Sequence, residues 1–204
     1  TDFASYRRGE NVTVTGEVWT PAREDGLAVR VKCPLLGERT IPLAPLEKEG
    51  VAAFEVTFES PTLSDDYAPV TAELLRDGSP VDALETAFCV WDEDVLASGP
   101  SVAVHNSRLE VDGSSATRFG TNQTGFMWFS EHEDPAVWDA DFRSMAEHGV
   151  RLLRILHFSP FSEGGYEGAP TNRVLALENR PKRLQRQTDA IVQLAQKHGI
   201  VVFL

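Results

Sequence analysis

The sequence is short of cysteine, short of positive charge and without a long apolar run, and each shortage removes a class of function. Two cysteines, Cys33 and Cys89, in 204 residues are too few for a disulfide-stapled scaffold, and no CxxC pair offers a zinc site or a redox dithiol. Both lie in strand-like runs, which leaves two readings open: buried free thiols, or one bridge between two packed sheets. Lys and Arg number 19 against 31 Asp and Glu, a formal charge of −12. Nucleic-acid binders present clustered Lys and Arg, so no nucleic-acid partner is expected. No apolar stretch approaches the roughly 20 residues that span a bilayer, so no membrane partner is expected either. The opening residues TDFASYRRGE hold no signal-peptide core. That leaves a secreted or periplasmic location, reached after removal of such a peptide, and a cytoplasmic one both open.

Catalytic signatures are also scarce. The glycines of GGYEGAP do not follow the GxGxxG or P-loop order, so no dinucleotide or phosphate cradle is indicated. Ser130-Glu131-His132 does not form a nucleophile elbow.

What is present is most legible over residues 134–156, DPAVWDADFRSMAEHGVRLLRIL. Asp134 suits an N-cap and Pro135 the first helical turn, where a missing N–H costs nothing. Trp138, Phe142, Met145 and Gly149 recur at helical spacing, and Gly149 supplies a left-handed stop. Residues 150–156 then form an aliphatic run of strand length. The grammar repeats at the chain's end: Pro181 opens a helical pattern carrying Leu184, Ile191, Leu194 and Ala195, His198-Gly199 closes it, and residues 200–204 are apolar. Helix alternating with a fully buried strand predicts a parallel sheet covered by helices.

Residues 10–91 read as β. ENVTVTGEVW and VAAFEVTF alternate with period two, GLAVRVKC follows a glycine, and YAPVTAELL reaches a turn at Asp77-Gly78 before PVDALETAFCVW. PLLGERTIPLAPLEKEG and ESPTLSDD read as breaks between strands. Five or more short strands predict a small antiparallel sandwich. The expected organisation is multidomain, β followed by α/β: a β-sandwich over 1–92, a polar linker over 93–100, and an α/β part over 101–204. Within that last part a short hairpin, RLEVDG, leads into a first parallel strand near 117–121, followed by the loop FGTNQTGFMWFSEHE. Residues 157–180 form the matching loop after the second strand. Parallel α/β folds place their sites on such loops, at the carboxyl ends of strands.

The order of these motifs resembles a known clan. A β-sandwich, a VDG hairpin, GTNxxG, DPxxWDxDFxxMxxHGVxxxRIxHFSPF and RLQRQTDAIVQLAQKHGIVVFL together resemble the front of retaining (β/α)8-barrel glycoside hydrolases, the clan of cellulases, β-mannanases and β-galactosidases. The sandwich is similar to the immunoglobulin-like modules that precede such enzymes. It lacks the Trp expected between two antibody-type cysteines, and Ala87 stands where a corner tyrosine would sit. The barrel resemblance covers residues 109–204, the first βαβαβ of a TIM barrel. It implies a polysaccharide or oligosaccharide substrate and a retaining two-glutamate hydrolysis, with no metal and no cofactor. Both glutamates are expected beyond residue 204, so no catalytic residue is assigned and this piece is not expected to be active by itself. A non-catalytic carbohydrate-binding or scaffold protein with a degenerate barrel is the alternative. A metal-dependent barrel hydrolase would need His and Asp at strand ends, and the first strand has no HxH. Oligomeric state is left open.

Four residues stand out as substrate-binding candidates. Arg154 lies in an otherwise apolar strand, a costly place for an unpaired guanidinium; the resemblance puts it beside the nucleophilic carboxylate, and a structural ion pair with the helix layer is the plain alternative. Arg151 is its weaker twin near the strand start. His157 follows the strand directly and can donate to a sugar hydroxyl or serve as a structural group. Asn122 in GTNQTG can address a hydroxyl, and both Asn122-Gln123-Thr124 and Asn11-Val12-Thr13 are also glycosylation triplets. Trp128, amid Phe126, Phe129, Phe158, Phe161 and Tyr166, offers a face for stacking on a pyranose ring. Glu131, Glu133, Asp134 and Glu163 lie in the same loops, without an indicated acid and base role. His148 and His198 each precede a stop glycine, where an imidazole favours the helix dipole.

Overall fold

Alternation of apolar and polar side chains folds the first half of the chain into two facing sheets. The computed structural model describes residues 1–59, 63, 66–115, 118–123, 135–155 and 181–203, which separate into two units, Thr1–Trp91 and Asp92–Leu204. In the first unit the strands are β1 (Ser5–Tyr6), β2 (Val12–Trp19), β3 (Leu27–Cys33), β4 (Gly37–Pro42), β5 (Val51–Phe58), β6 (Tyr67–Arg76) and β7 (Ser79–Val90). One sheet runs β1-β7-β6-β3-β4 and the other pairs β2 with β5. Val12 and Val14 of β2 and Phe58 of β5 share a buried core with Val29 and Val31 of β3, Val70 of β6 and Phe88 of β7. The unit is therefore mostly β and sandwich-like, two inner faces closing on one apolar layer.

The turn at Asp77-Gly78 forms as the sequence indicates, with φ of 49° and 80°, the double left-handed geometry that suits a two-residue hairpin. Gly16 lies opposite Phe54 in the β2–β5 ladder, and the Phe54 ring occupies the space a Cβ there would take, 2.5 Å away. Strand β4 lies within a segment read as a break. Most of its side chains are exposed, so no alternation marks it; its ladder to β3 from Ala28↔Pro42 to Cys33↔Gly37 holds it as an edge. Both cysteines are free and buried, which removes the inter-sheet bridge. They lie in the same sheet, on β3 and β7 with β6 between, and two strand spacings of about 4.8 Å exceed what a disulfide spans. Burial pushes the Cys33 thiol above its usual range, which suits an inert core residue.

The second unit opens with α1 (Glu93–Ala97), within the segment read as a polar linker. The Asp92 carboxylate accepts from Asp94 N at 2.9 Å and Val95 N at 3.4 Å, capping its first turn. Gln193 and Gln196, on a later helix, bond to Asp92 N and to the Val95 carbonyl. An antiparallel meander follows, β8 (Val102–His105), β9 (Arg108–Val111) and β10 (Ser114–Ser115). Its turns sit at Asn106-Ser107 and Asp112-Gly113, all four at positive φ.

Then come β11 (Gly120–Gln123), α2 (Pro135–Glu147), β12 (Leu152–Ile155), α3 (Pro181–Lys197) and β13 (Val201–Phe203). The three strands pair in parallel in the order β11-β12-β13. Both helices begin at a proline and end at a left-handed glycine, with φ of 82° at Gly149 and 69° at Gly199. Val150 N bonds to Met145 O and Gly149 N to Ala146 O, and the same pattern recurs from Ile200 to Ala195 and from Gly199 to Gln196, the paired bonds of a Schellman stop. Trp138 and Phe142 of α2, Leu153 and Ile155 of β12, and Ile191, Leu194 and Ala195 of α3 are buried. Three parallel strands do not close a barrel, so the TIM barrel that the resemblance implies is not itself seen among the described residues. The Asp134 cap lies outside them.

Candidate functional site

Strand parity builds the site. Successive strand residues point to opposite faces, and the registers β11–β12 and β12–β13 align Gly120, Leu152 and Val201 in one row and Asn122, Arg154 and Phe203 in another. These two rows share a face. The intervening row, Thr121, Leu153 and Val202, takes the opposite face, where Leu153 is fully buried. Helical crossovers cover one side of such a sheet, and the buried parity marks it as the side of Leu153 and Ile155. Arg154 therefore points away from the helix layer, and among the described residues it forms no ion pair with that layer.

On the open face, Gly120, Asn122, Leu152, Arg154 and Phe203 line a cavity of about 430 Å³, to which Thr121, between Gly120 and Asn122 on β11, also contributes. Asn122, Arg154 and Phe203 sit at or next to the carboxyl ends of their strands. Among the described residues, neither the Asn122 amide nor the Arg154 guanidinium has a hydrogen bond or ion pair, and Phe203 is 38% exposed. The face thus combines a cation, an amide and an aromatic ring. The cation and amide suit carboxylate and hydroxyl oxygens, and the ring suits an apolar C–H face. Gly120 has a steric role there: a Cβ on it would lie 2.7 Å from Leu152 Cβ and 2.8 Å from Leu152 O, so only glycine lets β11 approach β12 this closely.

Two of the four sequence candidates, Asn122 and Arg154, are brought together as register neighbours. His157 and Trp128 lie outside the described residues, as do Glu131, Glu133, Glu163 and the remaining loop aromatics. Asn122 is inside β11, which starts three residues later than the strand expected at 117–121, because Gly, Thr, Asn and Gln give no apolar signal. Phe203 was not among the candidates; it reads as one more residue of an apolar run. Its parity with Val201, once the run is aligned with the arginine strand, is the signal that marks it.

Arg151, His148 and His198, near these strands, have structural partners. Arg151 Nη1 donates to the carbonyls of Ala146 at 2.8 Å and Val150 at 3.2 Å, closing the end of α2. The His148 ring lies 2.8 Å from the Ser144 carbonyl in the same turn, as a capping histidine should. His198 behaves differently: its Nε2 meets Asp139 Oδ1 at 2.8 Å, tying α3 to α2, with Lys197 Nζ at 3.4 Å. Burial by itself would raise the Asp139 carboxyl, but the His198 hydrogen bond and the charges of Lys197 and His198 outweigh it and hold the group below its usual range. No group of three or more metal-ligating side chains is gathered among the described residues, and no helix among them is long and apolar enough to cross a membrane.

No family model and no curated protein matches the chain. Solved structures overlay on it in part. A β-glucuronidase of Bifidobacterium dentium, complexed with coumarin-3-O-glucuronide, has a TM-score of 0.32 and 16% identity over 95% of this chain and 26% of that one. The exo-chitosanase CsxA of Amycolatopsis orientalis has a TM-score of 0.36 and 13% identity over 94% of this chain and 20% of that one. A GH2 β-galacturonidase of Eisenbergiella tayi gives 0.30 and 11% over 96% and 32%. These neighbours are glycoside hydrolases, and the chain spans 26% and 20% of the length of the first two.

Proposed function

We propose that the chain forms the front of a glycoside hydrolase that cleaves β-linked glycans with retention of configuration. In this reading an immunoglobulin-like sandwich precedes the first strands of a (β/α)8 barrel, and two glutamates beyond residue 204 perform the chemistry. The observation that carries it is the row Asn122–Arg154–Phe203 at the carboxyl ends of three parallel strands, on the face their helices leave open. That is where barrel enzymes hold substrate. The motif order from Val111 onward supplies the clan.

Within this reading each residue has a definite task. The Arg154 guanidinium stands on the barrel's inner face and favours the ionised form of a carboxylate brought beside it, as a nucleophile requires. The Asn122 amide, one strand away, addresses a sugar hydroxyl. His157 and Trp128 complete the binding surface, the first as a hydroxyl partner and the second as a stacking face.

The test is hydrolysis of a panel of aryl β-glycosides by the intact protein and its Arg154→Ala variant. Turnover by the wild type, with kcat/KM reduced about 100-fold or more in the variant, supports the reading. Absence of turnover across the panel favours the non-catalytic alternative, and full activity in Arg154→Ala removes the assigned role.

A further inference from the structure

We propose that the outward face of the β2–β5 ladder is a second saccharide site, independent of the barrel reading, which binds a β-linked glycan carrying protonated amino groups. Inward residues of the two strands enter the sandwich core, so the alternate residues form a separate outward face. The register places Trp19 opposite Val51, Glu17 opposite Ala53 and Thr15 opposite Glu55. Trp19 is 61% exposed and Val51 57%, an aromatic and a branched aliphatic side chain adjoining on a ladder whose other outward residues are Ala53 and polar groups. Glu17 and Glu55 are also exposed.

The lack of a cation distinguishes this face from the opposite outward face of the sandwich. There, Arg30 and Lys32 of β3 hold Glu73 of β6 at 2.5 and 2.8 Å, with Glu38 and Glu85 exposed on the same face. Along β2 and β5 no Lys or Arg occurs, and among the described residues Glu17 and Glu55 make no ion pair. Two uncompensated carboxylates beside an exposed indole disfavour an anionic sugar and favour a cationic one. The indole stacks on the C–H face of a pyranose, its π face attracts an ammonium, and the carboxylates accept from ammonium and hydroxyl groups. Glu17 lies two residues from Trp19, about 6.6 Å along the strand, close enough for one sugar to stack while its amino group or its neighbour's meets the acid.

The experiment is calorimetric titration of the intact protein with a soluble β-linked glucosamine oligomer at physiological salt, with the matching glucose oligomer as comparator. The wild type is expected to bind the glucosamine oligomer at least about tenfold more tightly than the glucose oligomer. Trp19→Ala, which leaves net charge unchanged, is expected to weaken binding about tenfold or more, and Trp19→Phe to retain most of it. The double change Glu17→Gln with Glu55→Gln is expected to remove the preference for the amino sugar, while Arg154→Ala leaves this binding unaltered. Equal affinity for both oligomers, or Trp19→Ala binding as tightly as wild type, overturns the proposal. Loss of binding in Arg154→Ala also overturns it, by moving the site to the cavity on β11–β13.

Discussion

Arg154 is the residue on which the functional reading turns, and its surroundings separate function from stability. Its side chain is exposed and has no partner among the described residues, so Arg154→Ala should leave the melting temperature within about 2 °C while removing most activity. Thermal unfolding and kinetics on the same preparation check both halves. Gly120 is the converse case. A Cβ there meets Leu152 Cβ and O below 3 Å, so Gly120→Val should destabilise the second unit by about 1–3 kcal/mol, read as a lower urea midpoint. Asp139 gives the pH dependence. Its carboxyl is held below its usual value because the His198 hydrogen bond and nearby charges outweigh burial, so the folded state binds its proton more weakly than the unfolded state does. That stabilisation is complete above the unfolded value, about 3.9, and disappears as pH falls through the lowered folded value. Wild type should therefore exceed Asp139→Asn in stability at pH 7, and urea unfolding repeated toward pH 2 should show the gap closing.

Elements were legible in the sequence to the extent that side chains, and not backbone partners, define them. Helices α2 and α3 announce themselves twice over, by a proline at the first turn and by a glycine stop, and both stops are Schellman motifs. Gly149→Ala and Gly199→Ala should each cost about 1 kcal/mol, since an L residue is strained at φ near 70–80°; chemical denaturation measures this. Strands β2, β3, β5 and β6 follow their alternation closely. The elements that escaped notice are those with little side-chain signature: the exposed edge β4, the two-residue β1, and α1, whose cap at Asp92 and docking glutamines come from opposite ends of the second unit. Register is the other hidden quantity. The pairing of Asn122 with Arg154 and Phe203 depends on how three short strands align, and Phe203 gains meaning only after that alignment. His198 shows the same limit, since a position suited to capping is used to reach Asp139 on a neighbouring helix.

At the scale of the molecule, the chain combines a sandwich-like unit with a parallel, helix-covered sheet whose other face is open and carries the candidate residues. The resemblance implies that barrel strands continuing the sheet would enclose this face and bring two glutamates to it, and that step carries the central claim. The most direct measurement is proton NMR of the first-formed sugar anomer while the intact protein hydrolyses a β-glycoside. The β-anomer is expected to appear first and to mutarotate afterward, as a double displacement requires. An α-anomer as the first product, or no product from any β-glycoside, would contradict it.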